Sequence, residues 1–347
     1  MSTVSTDLAP LVTGVRAGER RALAKAITLI ESRRPEDERV ATALLTAVAP
    51  DEGRALRVAV SGAPGVGKST LIESLGLHAV ARGLRTAVLT IDPSSRVSGG
   101  SILGDKTRMP RLAVHPMAFI RPSPAGNTLG GVARRTRETM LLMDAAGFEL
   151  VLIETVGVGQ SETEVDAMVD LFVLVLLPNA GDELQGIKRG IMELAQIVLV
   201  NKADGLFADA AATTCHQVRS ALQLLHHHGS GTWLPHTLAV SAMEERGIDG
   251  ALELLLEFRQ VMTGNGALQD KRRRQATAWM WERVHEGLRA RFLAHPVVHT
   301  RLTELVPRVR TGDLGAVEAA GMLLDAFTGS EDGKHAGNYR KTGPAAG

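Results

Sequence analysis

The run Gly62-Ala63-Pro64-Gly65-Val66-Gly67-Lys68-Ser69 has the spacing of a loop that cradles a phosphate chain. Its glycines let backbone N–H groups converge on phosphate oxygens with no Cβ in the way. A strand-like run, LRVAV, precedes it and an apolar-periodic stretch follows, so a helix N-terminus adds partial positive charge. In that setting Lys68 reaches the β- and γ-phosphates and the Ser69 hydroxyl ligates Mg²⁺; Thr70 closes the nucleotide-binding set. A chance glycine-rich turn is the alternative, and it leaves the flanking strand and helix unexplained.

Asn201-Lys202-Ala203-Asp204 directly follows the run QIVLV. A carboxylate here can accept from both N1–H and the exocyclic amine of guanine. Adenine lacks that donor pair and would leave the acid unsatisfied. Four residues alone are weak, but joined to the phosphate loop they point to GTP and GDP. Ser241-Ala242, after TLAV, fits a loop that closes over guanine O6 through a backbone N–H.

Three further carboxylates stand where strands should end. Glu154 closes LVLIE and opens Glu154-Thr-Val-Gly157, where an acid holds a Mg²⁺ water and a glycine N–H senses the γ-phosphate. Val158 follows, not a water-orienting Gln, and Gln160 lies two positions on. Slow intrinsic hydrolysis, dependent on a partner or a rearrangement, is the expectation. Asp92 follows TAVLTI, and Asp105 closes the next loop; both are candidates for the Mg²⁺ and water network. A solvated loop acid is the alternative for Asp105. Gly99, Gly100 and Gly104 suit a switch segment.

These motifs require strands ending at one edge. Apolar runs at Ala55–Val60, Thr86–Ile91, Ala118–Arg121, Leu150–Glu154, Leu171–Leu177, Gln196–Val200 and Thr237–Ser241 read as strands. Helical stretches at 68–82, 131–146, 184–194, 208–228 and 249–262 alternate with them. The fold class is therefore α/β, a mostly parallel sheet with helices on both faces. Residues 7–50 read as two helices and 267–293, 297–309 and 313–327 as three more. The expected division is a helical extension over 1–54, a nucleotide-binding domain over 55–264, a helical region over 265–328 and a disordered tail over 329–347. Trp279, Trp281, Val284, Leu288 and Phe292 give the first C-terminal helix an apolar stripe, suited to a subunit interface. Its Lys271–Arg274 run reads as a solvated face before a phosphate patch.

Composition excludes several classes. The 347 residues carry a net charge of +1, which argues against nucleic-acid binding by bulk charge. The single cysteine, Cys215, excludes an intrachain disulfide and a cysteine-built zinc site. The longest apolar run, Leu171–Pro178, is too short to cross a membrane, and no leader is visible, so a cytoplasmic location is expected. The triple His226-His227-His228 reads as a solvated helix end. Of the 36 glycines, 17 fall between Gly62 and Gly190, where backbone must meet phosphate or move.

Taken together, GAPGVGKST, IDPSSRVSGGSILGDKTRM, LIETVGVGQSE, PNAGDELQGIKRGIMELA and VNKAD resemble MeaB/ArgK-type GTPases of the SIMIBI class of P-loop proteins. The resemblance covers roughly residues 8–328. It implies a GTP-hydrolysing chaperone that gates cofactor loading and protects adenosylcobalamin-dependent methylmalonyl-CoA mutase, with a homodimer built by the C-terminal helices. It also implies that Asp92, Asp105 and Glu154 join the Mg²⁺ and switch network. The segment Asn179–Lys188 resembles a further switch, with Asp182, Gln185 and Lys188 as candidate contacts. A metal-ion insertion chaperone and a P-loop kinase are the competing readings. The first lacks a convincing His or Cys-His motif, and the second lacks a separate acceptor domain.

Overall fold

The computed structural model describes residues 8–32, 34–49, 53–91, 108–123, 129–155, 162–178, 189–225 and 233–329. Three helices come first: α1 (Ala9–Arg16), α2 (Arg20–Glu31) and α3 (Pro35–Val48). The expected pair is thus a triplet. Its extra break lies at Gly18, whose φ of +70° ends the first helix. Pro35 starts α3, where its missing N–H costs nothing.

Seven strands follow: β1 (Leu56–Gly62), β2 (Thr86–Ile91), β3 (Ala118–Ser123), β4 (Leu150–Glu154), β5 (Leu171–Leu176), β6 (Ile197–Val200) and β7 (His236–Ala239). They form one sheet in the order β3-β2-β4-β1-β5-β6-β7, parallel throughout. The connecting helices are α4 (Lys68–Ala81), α5 (Pro110–Ala113), α6 (Leu129–Ala145), α7 (Glu162–Asp166), α8 (Arg189–Leu194) and α9 (Ala208–Leu225), then α10 (Ile248–Gly264) after the last strand. Strand ends differ from the sequence reading by one or two residues. β1 extends to Gly62 because Ser61 and Gly62 stay in register with Leu174 and Val175 of β5.

The sheet is buried on both faces, as parallel sheets are. Val58 and Val60 of β1 pack with Leu71, Ile72 and Leu75 of α4 on one face. Ala59 faces the other, among Val15, Leu23, Ile27 and Leu44 of α1–α3. The first three helices therefore share the core of the nucleotide-binding sheet. Each fully buried Val, Leu or Ile among these contributes about 1.5–3 kcal/mol.

The last helices are α11 (Ala267–Ala294), α12 (Pro296–Thr311) and α13 (Ala316–Thr328). The chain forms two compact units, Met1–Arg272 and Arg273–Gly347, so the boundary falls inside α11. In the second unit Leu305, Leu314 and Ala319 make a small core, and Phe292 meets Phe327 edge to face.

The Lys271–Arg274 run is not a solvated face at its first two residues. Lys271 Nζ lies 3.0 Å from Asp166 Oδ1, and Arg272 grips Asp170 at 2.9 and 2.6 Å. Arg272 also donates to the carbonyls of Gly53 and Ala55. Asp170 is fully buried and accepts as well from the Arg57 backbone N–H and guanidinium. Burial alone would raise its pKa, but Arg57 and Arg272 hold the carboxyl below its ordinary range. Among the described residues no helix is long and apolar enough to cross a membrane.

Candidate functional site

The site gathers at the carboxyl end of the sheet, where parallel α/β folds place ligands. β1 is flanked by β4 and β5, so the loop leaving it opens between their ends. Two glycines there are needed for close approach. A Cβ on Gly62 would run into the Val175 carbonyl, and one on Gly67 would sit 2.6 Å from Asn201 Nδ2. Gly67 also has φ +92° as the N-cap of α4. Ala63, Pro64 and Gly65 are exposed along the loop rim, Val66 is buried beneath it, and Ser69 and Thr70 lie half-buried in the first turn of α4.

Lys68 is buried, and its Nζ donates to the carbonyls of Gly62 at 2.8 Å and Ala63 at 3.1 Å. Burial lowers the pKa of this ammonium; Glu154 opposes the shift and the Arg108 charge adds to it. The Ser69 hydroxyl donates to Glu154 Oε1 at 2.6 Å. Glu154 ends β4, in register with Val60 of β1 and Thr90 of β2. A hydroxyl and a carboxylate side by side are hard oxygen donors, a set that suits Mg²⁺. The chemistry of this pair fits such an ion, and Ser69 and Glu154 are the residues that would hold it.

The second half of the site is tied to the first by side chains. Asn201, buried after β6, donates Nδ2–H to the Val66 carbonyl at 2.8 Å. Lys202 takes a left-handed φ of +58° and donates to the Gly65 carbonyl at 2.9 Å. The Ser241 hydroxyl donates to Asp204 Oδ2 at 2.5 Å and accepts from the Glu244 N–H at 3.1 Å.

The Ala242 N–H is donated to Asn201 Oδ1 at 3.1 Å. The Ser241 N–H goes to the Arg246 carbonyl at 2.9 Å. In this structure Ser241 and Ala242 position Asp204 and Asn201. Asp92, Asp105, Gly157, Val158, Gln160, Asp182, Gln185, Lys188 and His226–His228 lie outside the described residues.

Two contributors escaped the motif reading. Arg108 carries a charge close enough to influence Lys68, and it stands three residues beyond Asp105 in the run GDKTR. Arg246 donates to the Ala203 carbonyl, bracing the backbone beside Asp204. A basic residue just after a loop acid was the available signal for the first. The second has none, because its acceptor is backbone.

The family described as methylmalonyl Co-A mutase-associated GTPase MeaB matches residues 23–297. A Mycobacterium tuberculosis protein named "Probable GTPase" is 51% identical over 315 residues, covering 91% of this chain and 94% of its own length. The mouse protein named "Methylmalonic aciduria type A homolog, mitochondrial" is 43% identical, covering 91% and 79%. A solved structure described as a LAO/AO transport system kinase superposes with a TM-score of 0.71 at 35% identity, covering 94% of this chain and all of that one.

Proposed function

Because this chain belongs to the family of methylmalonyl-CoA mutase-associated GTPases, we propose that its GTPase cycle is read by an adenosylcobalamin-dependent mutase. On this reading the protein gates cofactor loading and protects the mutase from inactivation, with methylmalonyl-CoA mutase as the partner. The observation that carries the site assignment is the pair of side-chain bonds from Asn201 and Lys202 to the phosphate loop. They make the base-reading residues and the phosphate cradle one rigid site.

Hydrolysis forms a bond between a water oxygen and the γ-phosphorus and breaks the γ-phosphorus bond to the bridging oxygen. GTP and water give GDP and phosphate. Lys68 exchanges its carbonyl partners, Gly62 and Ala63, for phosphate oxygens, so its charge is already placed where negative charge develops. Ser69 and Glu154 would hold Mg²⁺, which when bound neutralises phosphate charge. Asp204 accepts the guanine N–H pair, aimed by Ser241. Asp92, Asp105 and Gly157 are assigned to the Mg²⁺ and γ-phosphate side, and Asp182, Gln185 and Lys188 to a switch facing the mutase.

We place the homodimer on the second unit, where Trp281 and Leu288 leave about half of their surface exposed (54% and 51%). Such an apolar stripe suits a partner helix. The test is one preparation with three readouts. Purified mutase should co-purify in a nucleotide-dependent way and raise GTP turnover, and light scattering should give twice the chain mass. No binding and no stimulation by any cobalamin-dependent mutase would remove the partner assignment, and a monomeric mass would remove the dimer.

A further inference from the structure

A charged junction on the flank of α4 reaches the turn that aims Asp204. Glu245 sits in that turn with φ +53°, a left-handed conformation that non-glycine residues seldom adopt. Its carboxylate takes Arg111 Nη1 at 2.8 Å and lies 3.7 Å from His78 Nε2 of α4. His78 Nδ1 and Arg82 meet Asp249 at 3.0 and 3.1 Å, and Arg82 meets Glu253 at 3.2 Å, so the first turns of α10 are fastened to α4 as well. Arg111 belongs to α5, whose Arg111 and Leu112 N–H groups are taken by Glu73 of α4 at 2.8 and 3.3 Å. Glu245 is therefore held from α4 and α5 at once. The same turn closes through the reciprocal bonds of Ser241 and Arg246, at 2.9 and 3.0 Å. Backbone held in an uncommon conformation beside a recognition group is the pattern expected where surrounding contacts fix a site's geometry.

We propose that Arg111 and Glu245 are positioning residues for base recognition: their ion pair fixes the 241–246 turn so that Ser241 aims the Asp204 carboxylate at guanine. The inference rests on the reading of Asp204 as the base acceptor. Both partners are largely solvent-exposed, which limits the effect to about fivefold in affinity.

Dissociation constants for GDP and IDP, measured on the full chain, test this. IDP lacks the exocyclic amine, so its ratio to GDP reports how well the Asp204 carboxylate is aimed. Arg111→Ala should weaken GDP binding by about three- to fivefold and IDP binding less, narrowing the ratio while the melting temperature holds. Glu245→Gly removes the carboxylate while suiting the left-handed backbone, and should match Arg111→Ala. The exchange Arg111→Glu with Glu245→Arg should recover most of the lost GDP preference. An unchanged ratio in Arg111→Ala, or an equal loss for both nucleotides, would overturn the proposal. Asp204→Asn separates the two layers. If it abolishes GDP preference while Arg111→Ala leaves the ratio intact, only the positioning role fails. If Asp204→Asn keeps the preference, the base reading and the positioning role fail together.

Discussion

The two ends of the sheet use charged residues in opposite ways. At the carboxyl end, Lys68 rests on loop carbonyls and Ser69 on Glu154, contacts that a phosphate and a cation can replace. At the amino end, Asp170 is enclosed by Arg57 and Arg272, and Asp144 accepts the backbone N–H groups of Arg54 and Ala55 at 2.9 and 3.0 Å. One end keeps its polar groups available for exchange. The other satisfies them permanently. Burial of charge therefore does not identify a working site in this fold; exchangeable partners do.

Substitutions should separate the ends. The largest effect is expected from Asp170→Ala, which removes the shared carboxylate partner of two partly buried guanidinium groups. It should cost about 3–5 kcal/mol of stability in thermal or denaturant melts, with turnover per folded molecule unchanged. Lys68→Ala should do the reverse. Its melting curve should stay near that of the parent, while kcat for GTP falls about 10²- to 10³-fold. If Lys68→Ala unfolds the protein, or Asp170→Ala silences hydrolysis in the folded state, the contrast between the ends breaks.

The smallest effect is one of pH. The Asp170 carboxyl is held below its ordinary value of 3.8, so its stabilisation is complete above that value and is lost as pH falls through the lower folded value. Asp144 has the opposite sign: burial raises its pKa despite the Ala55 and Arg54 N–H bonds. The stability gap between the parent and Asp170→Asn isolates the Asp170 contribution. That gap should be constant above about pH 4 and shrink below it. A gap that widens on acidification would mean that Asp170 is not held ionised by its arginines.

The phosphate loop and the strands were legible in the sequence, and the charged cluster at the amino end was not. The phosphate loop announces itself because glycine positions, Lys68 and Ser69 are local and adjacent. The strands were legible because a parallel sheet buried on both faces needs unbroken apolar runs such as LVLIE and LFVLV. Arg272 was unreadable because its acceptor, Asp170, is distant in the chain and carries no motif. The hold of Asn201 on Val66 was hidden for a related reason, since a backbone carbonyl leaves no trace in residue identity. The third N-terminal helix was missed because Gly18 was the sole break between two stretches of similar periodicity.

The most direct test of the central claim, that the carboxyl end recognises GTP through Asp204 and hydrolyses it, is the specificity of Asp204→Asn. The measurement is kcat/KM for GTP and for xanthosine triphosphate, in the parent and in the variant. Asparagine can donate to the xanthine oxygen that replaces the guanine amine, so the preference should invert, with GTP falling by about 10- to 100-fold. A folded variant that still hydrolyses GTP at the parental kcat/KM and gains nothing on xanthosine triphosphate would contradict the account.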